Sequence, residues 1–326
     1  MKIKLSSRNA IASLFIAFGL VLSACSGAGV DQQASTDTSG STSETAQAAD
    51  CGEWSIAMHA WVGYTASAQV LTNVAEELGC TINQVSLSEA GVTYDAMEAG
   101  SVDVIVEDWG GGRWAEWTDR GQVVEVGANG NIGKIGMFIP AWMVEEYPDI
   151  TDASNLNKYA ELFKTSESGS KGAWYEGPPG YTTVGEKMIA AGDLNFQVIS
   201  TGSEAALIEL FTQAVDNQTP ALGYWWEPHP LFAELDLARV NWPDSDWEAT
   251  EEADGNTDYP ETPLIKLASA KLMDSGDPFA NLVRNFKWTN ADQNQVAADI
   301  ESGTDPKVAA QKWIDANRAI VDSWIG

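Results

Sequence analysis

From residue 54 to residue 324 the chain alternates between two apolar rhythms, the two-residue repeat of a strand and the longer repeat of a helix. That alternation restricts the fold to α/β architecture, a sheet carrying helices on its faces. Residues 54–60 read as a strand, 65–78 as a helix with Val70, Leu71, Val74 and Leu78 on one side, and 81–87 as a second strand. A short helix over 93–99 stops at Gly100, and an apolar strand over 101–106 runs into Glu107-Asp108-Trp109. Residues 135–140 and 172–176 read as strands, the second followed by Gly177-Pro178-Pro179-Gly180-Tyr181 and a helix from Thr182. Residues 204–215 form a helix with Leu207, Leu210 and Phe211 on its apolar side, and a strand over 220–224 runs into Trp225-Trp226. Asp305-Pro306 is a helix start, with Asp as cap and Pro at the first position. Ala309, Trp313, Ile314, Asn317, Ile320, Val321 and Trp324 then trace a stripe at helical spacing.

The first residues address the chain to a compartment. Lys2, Lys4 and Arg8 form a short basic region, residues 11–22 are apolar, and Leu22-Ser23-Ala24-Cys25 resembles a lipobox. The apolar run is too short to span a bilayer comfortably and a polar tract follows it, so residues 1–24 read as a cleaved lipoprotein signal peptide. Cys25 is then the lipidated residue that tethers the mature protein to the membrane. Residues 25–50, rich in Ser, Thr, Gly, Ala and Gln, cannot bury enough apolar surface to offset their ordering entropy and read as a flexible tether.

Charge and cysteine use agree with export. Losing Lys2, Lys4 and Arg8 takes the formal charge from -29 to -32, which excludes nucleic-acid phosphates and polybasic membrane contacts. Beyond Cys25 only Cys51 and Cys80 remain. In an oxidising compartment they are expected to pair, each standing just before one of the first two strands of a right-handed βαβ unit. Such a bridge stabilises by about 3 to 4 kcal/mol on the loop-entropy model. No CxxC supports redox or thiolate-metal chemistry. His59 and His229 are the chain's two histidines, too few for the usual zinc-capturing site, so no metal and no cofactor is expected.

The positions of the tryptophans carry the functional argument. Trp61 follows the first strand, Trp109 the third, Tyr181 the loop after 172–176, and Trp226 the strand from Pro220. All four fall just past the carboxyl ends of predicted strands, the edge at which open α/β sheets bind ligands. Trp313 and Trp324, on a helical stripe, and Trp174, inside a strand, read as core. A trimethylammonium group has charge but no N–H, so its best partners are the faces of Trp and Tyr, each worth up to about 2 kcal/mol when desolvated.

These segments together resemble a known family, the glycine betaine/choline substrate-binding proteins of ABC importers. The resemblance is carried by Gly100-Ser101-Val102-Asp103 leading to Asp108-Trp109, Pro178-Pro179-Gly180-Tyr181, Ser203-Glu204-Ala205-Ala206 and Tyr224-Trp225-Trp226-Glu227-Pro228-His229. Phe286-Lys287-Trp288-Thr289, Ala309-Ala310-Gln311-Lys312-Trp313 and Val321-Asp322-Ser323-Trp324 complete it. It implies a two-lobed, type II-like periplasmic-binding-protein fold with the ligand in a cleft between lobes. Lobe 1 would hold residues 51–137 and 263–326, and lobe 2 residues 138–262, with two crossovers making a hinge. Trp61, Trp109 and Trp226 match cage positions, with Trp225 beside them. Tyr181 falls where many members carry Trp, and His229 matches a histidine that contacts a carboxylate in some relatives. One departure is Gly110-Gly111-Gly112 after Trp109, where the family carries a proline-containing turn.

The implied protein is no enzyme. It is a lipid-anchored receptor facing the periplasm or the extracellular space, which delivers a compatible solute to a membrane permease and its ATPase. The solute stays open at this point. Glycine betaine needs donors such as His229 or Arg113, whereas Glu107, Asp108 and Glu227 favour choline, and carnitine and sulfonium solutes also fit. The rival reading is a secreted carbohydrate-binding protein or glycoside hydrolase, with tryptophans stacking on sugar and Asp108 and Glu227 as the paired carboxylates.

Overall fold

A computed structural model describes residues 51–87, 90–110, 114–243 and 254–326. The expected leader, tether and Cys25 lie outside these residues, as does Arg113. Strand β1 (Glu53–Met58) leads through His59-Ala60-Trp61 into α1 (Val62–Glu77), and β2 (Thr81–Ser86) then pairs with β1 in parallel. This is the βαβ unit, and a disulfide joins Cys51 to Cys80 at its base. Helix α1 starts three residues before the expected Thr65 and is covered on nearly every side. Small residues such as Ala66, Ser67 and Ala68 let neighbours approach on faces that sequence periodicity left polar.

Next come α2 (Ala90–Glu98), β3 (Val104–Asp108), α3 (Ala115–Asp119) and β4 (Val123–Pro140). All five residues of β3 are buried, between β1 on one side and β9 (Glu261–Ser269) on the other. After β4 follow α4 (Trp142–Glu146), α5 (Leu156–Tyr159), β5 (Gly172–Glu176), α6 (Gly185–Ala191) and β6 (Phe196–Ser200). Then come α7 (Glu204–Asp216), β7 (Gly223–Glu227) and β8 (Leu237–Val240). The chain returns along β9 and ends in α8 (Ala270–Asp274), α9 (Pro278–Asn285), α10 (Asn290–Glu301), α11 (Pro306–Ala316) and α12 (Arg318–Ile325).

The strand order is β2-β1-β3-β9-β4-β7-β5-β6, with β8 on the free side of β4. Strand β4 has 18 residues, where the sequence reading began it at residue 135. Its early part pairs with β9 as far as Lys134↔Glu261, and from Lys134 onward it pairs with β7. The handover joins two hydrophobic cores. One gathers β1, α1, β3 and the C-terminal helices, and the other gathers Ile135 to Val240 with Tyr259.

Several local expectations change. Trp225 and Trp226 lie inside β7, because that strand begins at Gly223 and not at Pro220. The C-terminal stripe is two helices broken at Asn317, and Ile320 on the second is 39% exposed. Asp305 does cap α11, accepting from the backbone N–H of Lys307 and Val308. Trp313 and Trp324 stack at 5.9 Å in the core, and Trp174 is fully buried. Among the described residues no helix is long and apolar enough to cross a membrane.

Candidate functional site

The site begins where β1 turns into α1. Trp61 holds the N-cap position with extended backbone, which sends the chain sharply into the helix, and its side chain makes no capping bond. Its indole Nε1 instead donates to Glu107 Oε1 at 3.0 Å, and Trp109 Nε1 donates to the same oxygen at 2.8 Å. Ser67 Oγ, one helical turn into α1, donates to Glu107 Oε2 at 2.9 Å. One carboxylate at the end of β3 therefore fixes two tryptophans from separate strand ends. Glu107 is wholly buried, and burial pushes its carboxyl above the ordinary range while these donors pull it back. Gly133 of β4 leaves room for Trp109, since a Cβ there would stand 2.5 Å from the indole ring.

The opposite wall comes from the second core. Tyr181, carried on the loop after β5, meets Trp61 edge-on at 5.7 Å between ring centroids. It meets Trp226 of β7 the same way at 5.6 Å. Tyr181 Oη also donates to the Ala60 carbonyl at 3.4 Å. Trp61, Tyr181 and Trp226 thus form one continuous group of rings, which Trp109 joins through Glu107 rather than by a ring contact. Tyr224 and Trp225 form the layer behind, with Trp225 stacked on Trp226 at 4.7 Å and edge-on to Phe211 of α7. His59 packs beneath Trp61 at 5.0 Å, and burial lowers its pKa to about 4, so it adds no charge near neutrality.

The remaining expected residues take other positions. Asp108 is buried and accepts from Tyr94 Oη and Gly110 N, each at 2.6 Å, which ties down the chain leaving β3. Glu227 is exposed at the end of β7. His229 is buried, and its Nδ1 accepts the Leu231 N–H at 3.1 Å. A neutral ring held this way keeps its proton on Nε2, which meets Glu204 Oε1 at 3.0 Å and Glu301 Oε1 at 3.6 Å. Glu204, first residue of α7, also accepts from Val62 N at 3.0 and 3.3 Å, the start of α1. Ser67 and Gly133 were not singled out by sequence, and Glu204 entered only within the Ser203-Glu204-Ala205-Ala206 segment of the resemblance, with no role at the site. A glutamate opening a helix after a serine cap reads as an ordinary N-terminal acid, and nothing local signals a partner 142 residues away.

The family profile described as "Substrate binding domain of ABC-type glycine betaine transport system" matches residues 53–316. A curated relative, the glycine betaine/carnitine transport binding protein GbuC of Listeria monocytogenes, is 29% identical over 133 residues. That match spans 40% of this chain and 40% of the relative's own length. Among solved structures, a choline binding protein of an ABC transporter, in complex with choline, superposes with TM-score 0.69 at 21% identity. It covers 84% of this chain and 92% of that one. The lactococcal OpuAC complexed with glycine betaine gives TM-score 0.64 at 20% identity, covering 84% of this chain and 100% of that one. The two-lobed periplasmic-binding-protein fold is common to these structures.

Proposed function

The chain belongs to the substrate-binding domains of ABC-type glycine betaine transport systems, and we propose that it captures a quaternary-ammonium solute outside the cytoplasm for an ABC importer. One observation carries the reading. Trp61, Tyr181 and Trp226, from three distant stretches of chain, converge at 5.6 and 5.7 Å with Trp109 held alongside through Glu107. Rings in that arrangement offer π faces to a cation that cannot donate hydrogen bonds, and three or four of them support micromolar affinity. The names of the relatives, which point to glycine betaine, carnitine and choline, agree with that chemistry.

In this proposal residues 51–137 and 263–326 form one lobe and 138–262 the other. The crossover lies near Lys134 and Glu261, where the pairing of β4 passes from β9 to β7. The ring contacts close the site in this conformation. Admitting a trimethylammonium group requires the lobes or the Tyr181 loop to part, and two strands crossing between cores make the hinge. The receptor binds without catalysing a reaction, is anchored through lipid on Cys25, and delivers its solute to a permease and ATPase.

Titration calorimetry on the mature protein tests the cage. Trp226→Ala and Trp109→Ala are each expected to weaken binding by roughly tenfold or more, the loss of about 1 to 2 kcal/mol of cation–π attraction, with circular dichroism unchanged. Affinity should fall from the trimethylated to the dimethylated to the unmethylated amine. An uncharged tert-butyl analogue should lose most of the binding. Equal binding of that neutral analogue, or tighter binding of a neutral sugar, would make the rings a stacking platform and remove the proposal.

A further inference from the structure

Helix α1 begins without a cap of its own. Trp61 makes no side-chain bond to the first turn, and that turn contains no acidic residue. Sixteen residues of helix therefore direct their positive dipole end, and first-turn N–H groups that have no acceptor within the helix, toward the ring group, a ready seat for an anion. A second donor faces the same place. His229 Nε2 carries the proton, because Nδ1 is committed to Leu231 N, and the ring is fixed by Trp225 and Trp226 at 4.6 and 5.2 Å. Two donors from opposite cores thus converge beside the cage. Both are already taken by the protein's own carboxylate, since Glu204 accepts from Val62 N and from His229 Nε2.

The surroundings reinforce this. Glu301 of α10 approaches His229 to 3.6 Å, and Glu107 lies beneath Trp61 and Trp109. Among the described residues, Glu204, Glu301 and Glu107 have no ion pair with Lys or Arg. A solute that carries its own carboxylate would have to displace Glu204 from two hydrogen bonds and then sit against a second glutamate. A solute that is a cation alone has its charge balanced by Glu204, and a hydroxyl on its other end finds a carboxylate acceptor.

Building on the cage, we propose that Glu204 is the specificity-determining residue of the site. It fills the anion seat formed by the α1 N-terminus and His229, so the protein selects net-cationic quaternary ammonium alcohols over zwitterionic betaines.

Calorimetry with three chloride or inner salts tests this on the mature protein. Tetramethylammonium, which has no other end, reads the cage alone. Choline and glycine betaine read the seat. Wild type is expected to bind choline at least roughly tenfold more tightly than glycine betaine. In Glu204→Ala the two donors become free for a ligand carboxylate, so the choline-to-betaine preference should shrink by roughly tenfold or invert. Glu204→Gln keeps an acceptor for Val62 N–H without the charge and should shift the ratio in the same direction, which guards against a poorly folded alanine variant. Wild type preferring glycine betaine, or an unchanged ratio in both variants, overturns the role of Glu204 while leaving the cage intact if tetramethylammonium still binds. Failure of tetramethylammonium to bind wild type removes the cage, and this inference with it.

Discussion

Glu107 and Glu176 are both buried carboxylates, yet their neighbours give them different work. Glu107 accepts two indole N–H groups and a hydroxyl, so Glu107→Ala leaves two part-buried indole donors without their acceptor, while Ser67 keeps the Gly63 carbonyl at 3.1 Å. Leaving such groups unpaired costs about 1 to 3 kcal/mol each before relaxation. We expect this variant to lose roughly 3 kcal/mol of stability in urea unfolding, together with most of its cation affinity. Glu107→Gln, which keeps an acceptor, should recover most of the stability and only part of the affinity. Glu176 accepts from Gly185 N at 2.8 Å and Trp174 Nε1 at 3.1 Å through one oxygen, and the other has no partner among the described residues. Burial raises its pKa from 4.5 to about 7. Between these values the folded protein holds the proton that the unfolded chain has lost, so stability falls as pH rises through that window. Glu176→Gln keeps the acceptor and removes the charge. It should be more stable than wild type by roughly 3 kcal/mol above pH 7, with the gap closing below about pH 4.5, as denaturant titrations across pH would measure. The four rings were legible from sequence because each lies near a strand end, a local property. The direction of Glu107 and the partnership of Glu204 were not, because each is decided by groups that only the folded chain brings near.

Elements were legible where the apolar rhythm was uninterrupted. Strand β5 matches its expected span of 172–176, and α7 begins at Glu204 as read. The part of β4 before residue 135 was missed because Gly127, Asn129, Gly130 and Asn131 interrupt the apolar rhythm with residues that favour turns. Pairing with β9 overrides that local preference and absorbs it as register shifts between Glu125 and Gly127 and between Ala128 and Ile132. Gly130 has φ +100°, and a Cβ there would stand 2.1 Å from the Trp288 carbonyl oxygen. Gly130→Ala meets both the left-handed penalty and a backbone clash, so we expect a loss of at least about 2 kcal/mol in urea unfolding. An alanine at Gly79, where φ is also positive but nothing lies within 4 Å, should lose less. That contrast separates the clash from the conformational term.

At the scale of the whole molecule, α/β architecture followed from alternation, whereas the two-lobed fold came from the family resemblance. The solved relatives share that fold across 84% of this chain at about one residue in five identical. What periodicity did not convey was the single sheet running through both cores, because β4 and β9 change partners partway along. Nor could it convey how the cores complete one another's polar groups. Helix α1 of the first core takes its cap from Glu204 at the start of α7, and Tyr181 of the second gives its hydroxyl to the Ala60 carbonyl of the first. If the halves part as proposed, the opening uncovers a helix end, a carboxylate and a phenol at the same moment. The opened form would then offer a transporter a different surface from the loaded one, and the two states could be told apart by touch.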